Sequence, residues 1–150
     1  MEISRMFLTI SGKPSKVSPD VVKAAMGFYA DYLMKNHAKV DVHLDFEKGF
    51  LKNQGNYADC VNDDGKEFTI TVDADMGERA VLLALAHEMV HVKQHCQDKF
   101  GFNSRKRMYR FGGEYYPEDM NYWDCPWEIE AFGRELGLYK MFKQSQKKAK

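Results

Sequence analysis

Long apolar runs, abundant cysteine and an excess of charge of one sign are all lacking in this 150-residue chain. No apolar stretch approaches the roughly 20 residues that a membrane-spanning helix needs, so we expect no membrane partner. Three scattered cysteines, Cys60, Cys96 and Cys125, are too few for a disulfide framework. Lys and Arg number 22, as do Asp and Glu, so the formal net charge is zero. This balance argues against a dedicated nucleic-acid binder, which normally has a strong basic excess.

The chain also lacks signals of targeting or of division into domains. Residues 1–16 do not show the order of basic, apolar and small residues typical of a secretory signal peptide, and we expect a cytoplasmic protein. Without repeats or Pro- or Ser-rich linkers, residues 1–150 are predicted to form one domain, with a flexible Lys-rich tail from about 143 to 150. A basic cluster at residues 105–110 keeps nucleic-acid association as an alternative, although the net charge disfavours it.

Hydrophobic periodicity in the first half of the chain predicts a helix followed by strands. Ser18-Pro19-Asp20 is typical of a helix start, and the apolar spacing that follows predicts a helix to about Asn36. Alternating apolar and polar residues over 39–46 predict a half-buried strand. Asp64-Gly65 predicts a hairpin turn between strands over 57–61 and 66–73.

In the second half of the chain the period becomes helical. The spacing of apolar residues predicts a helix from about 78 to 97 and a last helix from about 124 to 142. Residues 98–124 are predicted to be irregular, with a short hairpin around Phe111-Gly112-Gly113. Helices, antiparallel strands and helices in this order indicate an α+β fold.

His87-Glu88-Met89-Val90-His91 matches the H-E-x-x-H motif inside the helix predicted over 78–97. Residues i and i+4 of a helix lie about 40° apart around its axis and about 6 Å apart along it, so both imidazoles can bind one metal ion. Glu88 is rotated by about 100° from His87, which places its carboxylate beside the ion. Two imidazoles and a carboxylate leave a fourth zinc position for water, and Glu88 is the candidate general base for that water.

Spacing alone leaves the third ligand open. His95 lies about 12 Å along the helix axis from His87, which is too far for a shared ion. His43, on the polar face of a predicted strand, and His37, at a helix end, are weaker candidates. A carboxylate remains, and the start of the last helix offers two, Glu128 and Glu130.

The sequence HEMVHVKQ at residues 87–94, followed by PWEIEAFGRE at residues 126–135, resembles the small gluzincin-type zinc metallopeptidases, including SprT-like and phage-type members. The resemblance implies a zincin-like fold, with a small antiparallel or mixed sheet packed on the H-E-x-x-H helix and a second ligand on a C-terminal helix. It implies Zn²⁺ held by His87, His91 and Glu130, because the family's third ligand is a Glu commonly followed by Ala. Glu128 is the alternative ligand, and otherwise a residue that supports the ligands.

The same resemblance implies a peptide or protein substrate and a strand lining its cleft, the one containing residues 68–73. An Asp often follows the ligand Glu by four residues in gluzincins, but Arg134 stands there. The partner of the histidines is therefore open; the candidates are Asp73, Asp75, Asp124 and Glu135. Because the resemblance includes phage-type members, the expected compartment can also be the cytoplasm of a virus-infected host cell.

The predicted activity is hydrolysis of peptide bonds by a zinc-activated water. Such chemistry needs a donor for the oxyanion, and among the tyrosines between the two ligand helices Tyr116 and Tyr122 are the first candidates. Two alternatives stay open: a non-catalytic binding protein stabilised by zinc, and a nucleic-acid-associated SprT-like protein.

Overall fold

A four-stranded mixed sheet organises the N-terminal half of the chain. The computed structural model describes residues 6–34, 39–51 and 57–148. The strands are β1 (Met6–Ser11), β2 (Val40–Glu47), β3 (Ala58–Asp64) and β4 (Glu67–Asp73), in the order β1-β2-β4-β3. β1 and β4 are parallel to β2, whereas β3 is antiparallel to β4 and forms an edge. The predicted strand over 39–46 and the predicted hairpin are confirmed, and β1 is an additional strand.

Within the described ranges three long helices accompany the sheet: α1 (Pro19–Leu33), α2 (Glu78–Gln97) and α3 (Pro126–Lys148). α1 begins as predicted, since the Ser18 hydroxyl accepts a hydrogen bond from the Val21 amide at 3.1 Å. It ends before Asn36, which lies outside the described residues.

The C-terminal helix is longer than the sequence pattern predicts. α3 continues past residue 142 into the segment expected to be a flexible tail, and Lys143 Nζ lies 3.2 Å from the carboxylate of Glu78 at the start of α2. Residues 149–150 lie outside the described part of the chain.

The sheet and the three helices share one hydrophobic core. Alternation along β2 and β4 directs apolar side chains such as Leu44 and Ile70 to the helices, while Asp41 and Glu67 lie on the opposite, exposed face. α2 contacts β3 and β4 as well as α1 and α3. Because α2 is surrounded in this way, even its polar residues in the H-E-x-x-H motif are buried.

The connection between α2 and α3 is more regular than predicted. It contains a three-stranded antiparallel sheet of β5 (Gly101–Asn103), β6 (Met108–Phe111) and β7 (Glu114–Pro117), followed by a 3₁₀ helix over Tyr122–Asp124. The predicted hairpin is confirmed: Gly112 and Gly113 both have positive φ, of 58° and 85°, as a tight turn between twisted strands requires.

The α+β class predicted from the sequence is therefore correct. Trp127 in the first turn of α3 packs against rings of the three-stranded sheet, with its centroid 5.0 Å from that of Tyr109. This contact fixes the small sheet beside the start of α3. No helix in the described ranges is long and apolar enough to cross a membrane.

Candidate metal centre

α2 presents both histidines of the motif on one side of the helix. The exposed fractions of His87 and His91 are both 8%, and their ring centroids lie 5.0 Å apart. This is the arrangement that i, i+4 spacing predicts. Glu88 is equally buried, at 7% exposed.

The carboxylate of Glu128 joins the two imidazoles. His87 Nε2 lies 3.1 Å from Glu128 Oε1, and His91 Nε2 lies 3.3 Å from Glu128 Oε2. Ligand atoms of these three residues all lie within 4.8 Å of one another, which is close enough for each to bind a single metal ion. Glu128 reaches the histidines from the first turn of α3, which packs directly on α2.

The Nδ1 atom of each histidine forms a hydrogen bond on the side of the ring away from Glu128. His91 Nδ1 lies 2.7 Å from Gln94 Oε1, and His87 Nδ1 lies 3.4 Å from Glu135 Oε1. Since a carboxylate and an amide oxygen only accept hydrogen bonds, Nδ1 donates in each case, and in the neutral imidazole Nε2 then carries the lone pair that can bind a metal. Imidazoles that bind metals are commonly oriented in this way. Glu135, one of the four predicted partners, is thus confirmed as the partner of His87.

The orientation of the Gln94 amide follows from its other contacts. Its Nε2 donates to the backbone carbonyl of Trp127 at 2.8 Å and to Glu130 Oε1 at 2.9 Å. Both of these atoms are acceptors, so Oε1 must be the atom that faces His91. Gln94 is fully buried and connects α2, the start of α3 and His91.

Glu130 does not reach the histidines, and its assignment as the third ligand is wrong in this structure. Its Oε2 lies 2.7 Å from Lys93 Nζ and 2.9 Å from Arg134 Nε, while its Oε1 accepts from Gln94. Positions 128 and 130 are about 200° apart around a helix, so only one of the two can face the cluster. Glu128 faces it, and Glu130 supports Gln94 from the opposite flank of α3.

Of the two tyrosines predicted as oxyanion donors, only one lies beside the cluster. The Tyr122 hydroxyl donates to Glu128 Oε1 at 3.0 Å, so this ring borders the cluster. Tyr116 instead packs edge-on against Trp127, with a centroid distance of 5.8 Å, and is not among the residues that line the cleft. Tyr122 is therefore the candidate that the geometry retains.

The remaining histidines lie outside the cluster. His95 lines the same cleft but packs between the rings of Phe68 and Phe100. His43 lies on the exposed face of the sheet, where its Nε2 is 3.0 Å from the Ser11 hydroxyl. His37 falls outside the described residues.

Asp73, another predicted partner, accepts instead from the backbone amides of Leu51 and Asp75. Those contacts stabilise the segments that follow β2 and β4, and Asp73 therefore does not contact the histidines. Asp75 accepts from the Ser15 hydroxyl, and Asp124 belongs to the exposed 3₁₀ helix.

Burial and charge perturb the acid–base groups of the cluster. Burial lowers the pKa of His87, but hydrogen bonds to Glu128 and Glu135 outweigh burial and raise it to about 9. Burial raises the pKa of Glu128, yet its hydrogen bonds to His87 and His91 dominate and lower it to about 2. Burial also raises the pKa of Glu88, to about 7, against the opposing charges of His91 and His87.

A cleft of about 290 Å³ opens beside the cluster. One wall is formed by Ala58, Asp59 and Cys60 of β3, and others by Phe100, Tyr109 and Tyr122. Three consecutive residues of a strand can line one space only when the strand's edge borders it, because alternate side chains point to opposite faces. The expectation that the strand containing 68–73 lines the cleft is corrected: β4 is paired on both sides, and β3 is the edge.

The basic cluster of residues 105–110 is engaged locally. Arg107 lies 2.9 Å from Glu118, Lys106 Nζ lies 4.1 Å from the ring centroid of Tyr115, and Arg110 donates to the carbonyl of Lys99. These contacts stabilise the turns of the small sheet.

No protein-family model matches the chain, and no curated protein or solved structure is significantly similar to it.

Proposed function

We propose that the protein is a zinc-dependent metallopeptidase with a zincin-like arrangement of its site. The observation that carries this proposal is the set of His87, His91 and Glu128, two imidazoles and a carboxylate converging in a buried position next to Glu88. This donor set is typical of catalytic zinc with an open position. The resemblance of residues 87–94 and 126–135 to gluzincins supports the same class.

Hydrogen bonds orient the two imidazoles in a way that suits a metal of this kind. Gln94 and Glu135 accept from the Nδ1 atoms, so both Nε2 atoms face Glu128. When bound, zinc would supply Lewis-acid activation of a water molecule and of the substrate carbonyl. The cleft volume of about 290 Å³ is far larger than the roughly 10–15 Å³ that a site needs to hold one water molecule, so part of a peptide can also enter.

Glu88 is suited to move the proton in this reaction. Its carboxylate lies in the cleft, and its pKa of about 7 lets it accept and release a proton near neutral pH. In the proposed reaction Glu88 accepts the proton of the attacking water and delivers it to the leaving amine. The hydroxyl of Tyr122, which now donates to Glu128, is placed to donate to the developing oxyanion after rotation about its side-chain bonds.

The edge of β3 supplies a way to hold the peptide extended. An unpaired strand edge presents backbone donors and acceptors to a second strand, and Ala58–Cys60 border the cleft along that edge. A substrate paired there would lie in the same cleft as Glu88 and Glu128.

The test is the substitution Glu88→Gln, with Glu78→Gln as a matched control on the same helix. Glu78 lies in the first turn of α2 and pairs with Lys143, away from the cleft. With fluorescein-labelled denatured casein as substrate, we expect Glu88→Gln to retain one equivalent of zinc and to lose hydrolysis by about 100-fold or more. Glu78→Gln should retain both. Full activity in Glu88→Gln would contradict the proposed role of Glu88, and absence of hydrolysis by the zinc-loaded wild type would contradict the proposed function.

A further inference from the structure

Three aromatic rings form an exposed surface beside the metal cluster. The ring centroids of Trp123 and Phe132 lie 5.2 Å apart, and that of Tyr122 lies 5.2 Å from Trp123 and 6.3 Å from Phe132. We refer to Tyr122, Trp123 and Phe132 as the aromatic shelf. It joins the 3₁₀ helix to α3.

The aromatic shelf is open to solvent although its residues are apolar. Trp123 is 67% exposed and Phe132 is 41% exposed. Ile129 and Leu136 are also exposed and lie three and four residues from Phe132, on the same side of α3. Contiguous exposed apolar surfaces of this kind usually mark a binding site.

The aromatic shelf is continuous with the metal cluster. The ring of Phe132 lies 4.5 Å, centroid to centroid, from that of His87, and Tyr122 both lines the cleft and donates to Glu128. A group resting on the shelf is therefore in contact with residues adjoining the metal ligands. Because of this continuity, part of a molecule bound in the cleft can reach the shelf.

The charged residues that line the cleft indicate which side chains the shelf would disfavour. The described residues lining the cleft include the carboxylates of Asp59, Glu88 and Glu128 but no Lys or Arg. Acidic side chains beside the shelf would be repelled, whereas neutral apolar side chains would bury surface on the rings.

We infer that the aromatic shelf is the subsite that selects a bulky apolar or aromatic side chain of the peptide, within a residue or two of the bond that is cleaved. This inference rests on the proposed function, since it assigns a substrate class to the same cleft. Trp123 and Phe132 contact the substrate side chain, and the edge of β3 holds the backbone on the opposite side.

The test measures peptide binding in the zinc-loaded Glu88→Gln variant, which separates recognition from hydrolysis. The probes are fluorescein-labelled ten-residue peptides of Ala, Ser and Gly, in which a single Phe is moved through each position. We expect one peptide register to bind about tenfold more tightly than the peptide without Phe, a difference of about 1.4 kcal/mol. Adding Trp123→Ser should reduce this preference to about twofold, and Trp123→Phe should restore most of it.

Phe7→Ser is the matched control, because Phe7 is 68% exposed but lies on the outer face of the sheet. It should leave the preference for Phe unchanged. A preference that survives Trp123→Ser, an equal weakening of all peptides, or binding of none of them would overturn the inference.

Hydrolysis assays with the wild type keep the two proposals apart. Cleavage of the peptides without any preference for Phe would refute the role of the aromatic shelf and leave the peptidase proposal standing. A preference for Phe in binding without any cleavage would refute the peptidase proposal, and with it the placement of the subsite beside a cleaved bond, but not the binding of an apolar side chain by the aromatic shelf.

Discussion

The buried amide of Gln94 offers the sharpest test of how this site is held. We predict that Gln94→Leu lowers the affinity for zinc by 10- to 100-fold, on the order of 1–3 kcal/mol, because His91 loses the acceptor that orients its ring. Leu is close to Gln in size, so packing in the fully buried position is largely retained. His91 itself is unchanged, and the loss therefore reports on orientation rather than on a missing ligand.

The same substitution should also cost stability in the absence of metal. Gln94 Nε2 donates to the carbonyl of Trp127 and to Glu130 Oε1, and both hydrogen bonds are lost, while Glu130 Oε2 keeps Lys93 and Arg134. A buried hydrogen bond contributes about 0.5–1.5 kcal/mol net, so we expect the loss of two to lower the free energy of unfolding by about 1–3 kcal/mol.

Gln97→Leu is the matched control for both measurements. Gln97 lies one helical turn further along α2, and its Nε2 donates to the carbonyl of Leu33 at 3.0 Å, away from the histidines. It should lose about 1 kcal/mol of stability and none of its zinc affinity. Zinc affinity is measured by competition with a chromophoric chelator, and stability by urea unfolding in excess EDTA. If Gln94→Leu changes zinc affinity no more than Gln97→Leu does, the reasoning is refuted.

Two further predictions concern the ligand set and its protons. Glu128→Gln should reduce bound zinc well below one equivalent, as measured by metal analysis after dialysis. Glu130→Gln should keep zinc bound, with an affinity lowered by at most the 10- to 100-fold expected for a residue that supports a ligand. The opposite result for the two variants would restore Glu130 as the ligand. The pKa of His87 is about 9, above its usual value of about 6.5, so its contribution of about 3 kcal/mol to metal-free stability is present below pH 6.5 and is lost as pH rises through 9. Urea unfolding in EDTA between pH 6 and 10 measures this loss, and a flat profile would contradict it.

The part of the site that the sequence predicts is the part that one helix determines. His87, Glu88 and His91 belong to a single helix, and helical geometry alone brings the two imidazoles together. Glu135, one of the four predicted partners of the histidines, lies on the other helix, α3. The relative positions of His87, Glu88 and His91 do not depend on how α2 and α3 are rotated against each other, whereas the contact of Glu135 with His87 does.

The choice between Glu128 and Glu130 depends on that rotation. Trp127, Ala131 and Leu138 are buried along one stripe of α3, and they set which flank faces α2. Glu128 and Glu135 are seven residues apart, so they lie within about 20° of each other on a single flank. That shared flank was the signal in the sequence: one carboxylate closes the cluster and the other holds His87.

The cleft strand and Gln94 required long-range information. Both arms of the β3–β4 hairpin alternate in the same way, and only the pairing of β4 with β2 makes β3 the edge. Gln94 lies three residues after His91, within reach on a helix. Its role, however, becomes visible only when Trp127 and Glu130 from α3 fix the direction of its amide.

The two flanks of α3 show why a cation fits one of them. On one flank Glu130 is neutralised by Lys93 and Arg134. On the other flank, the imidazoles of His87 and His91 are the basic groups found next to Glu128 and Glu135 among the described residues, and these carboxylates raise the pKa of both histidines, which favours protonation in the absence of metal. Two imidazolium groups carry the same charge as one divalent cation with two neutral imidazoles. The cluster can therefore exchange two protons for a metal ion without changing its net charge, which is a physical reason for zinc affinity to increase as pH rises.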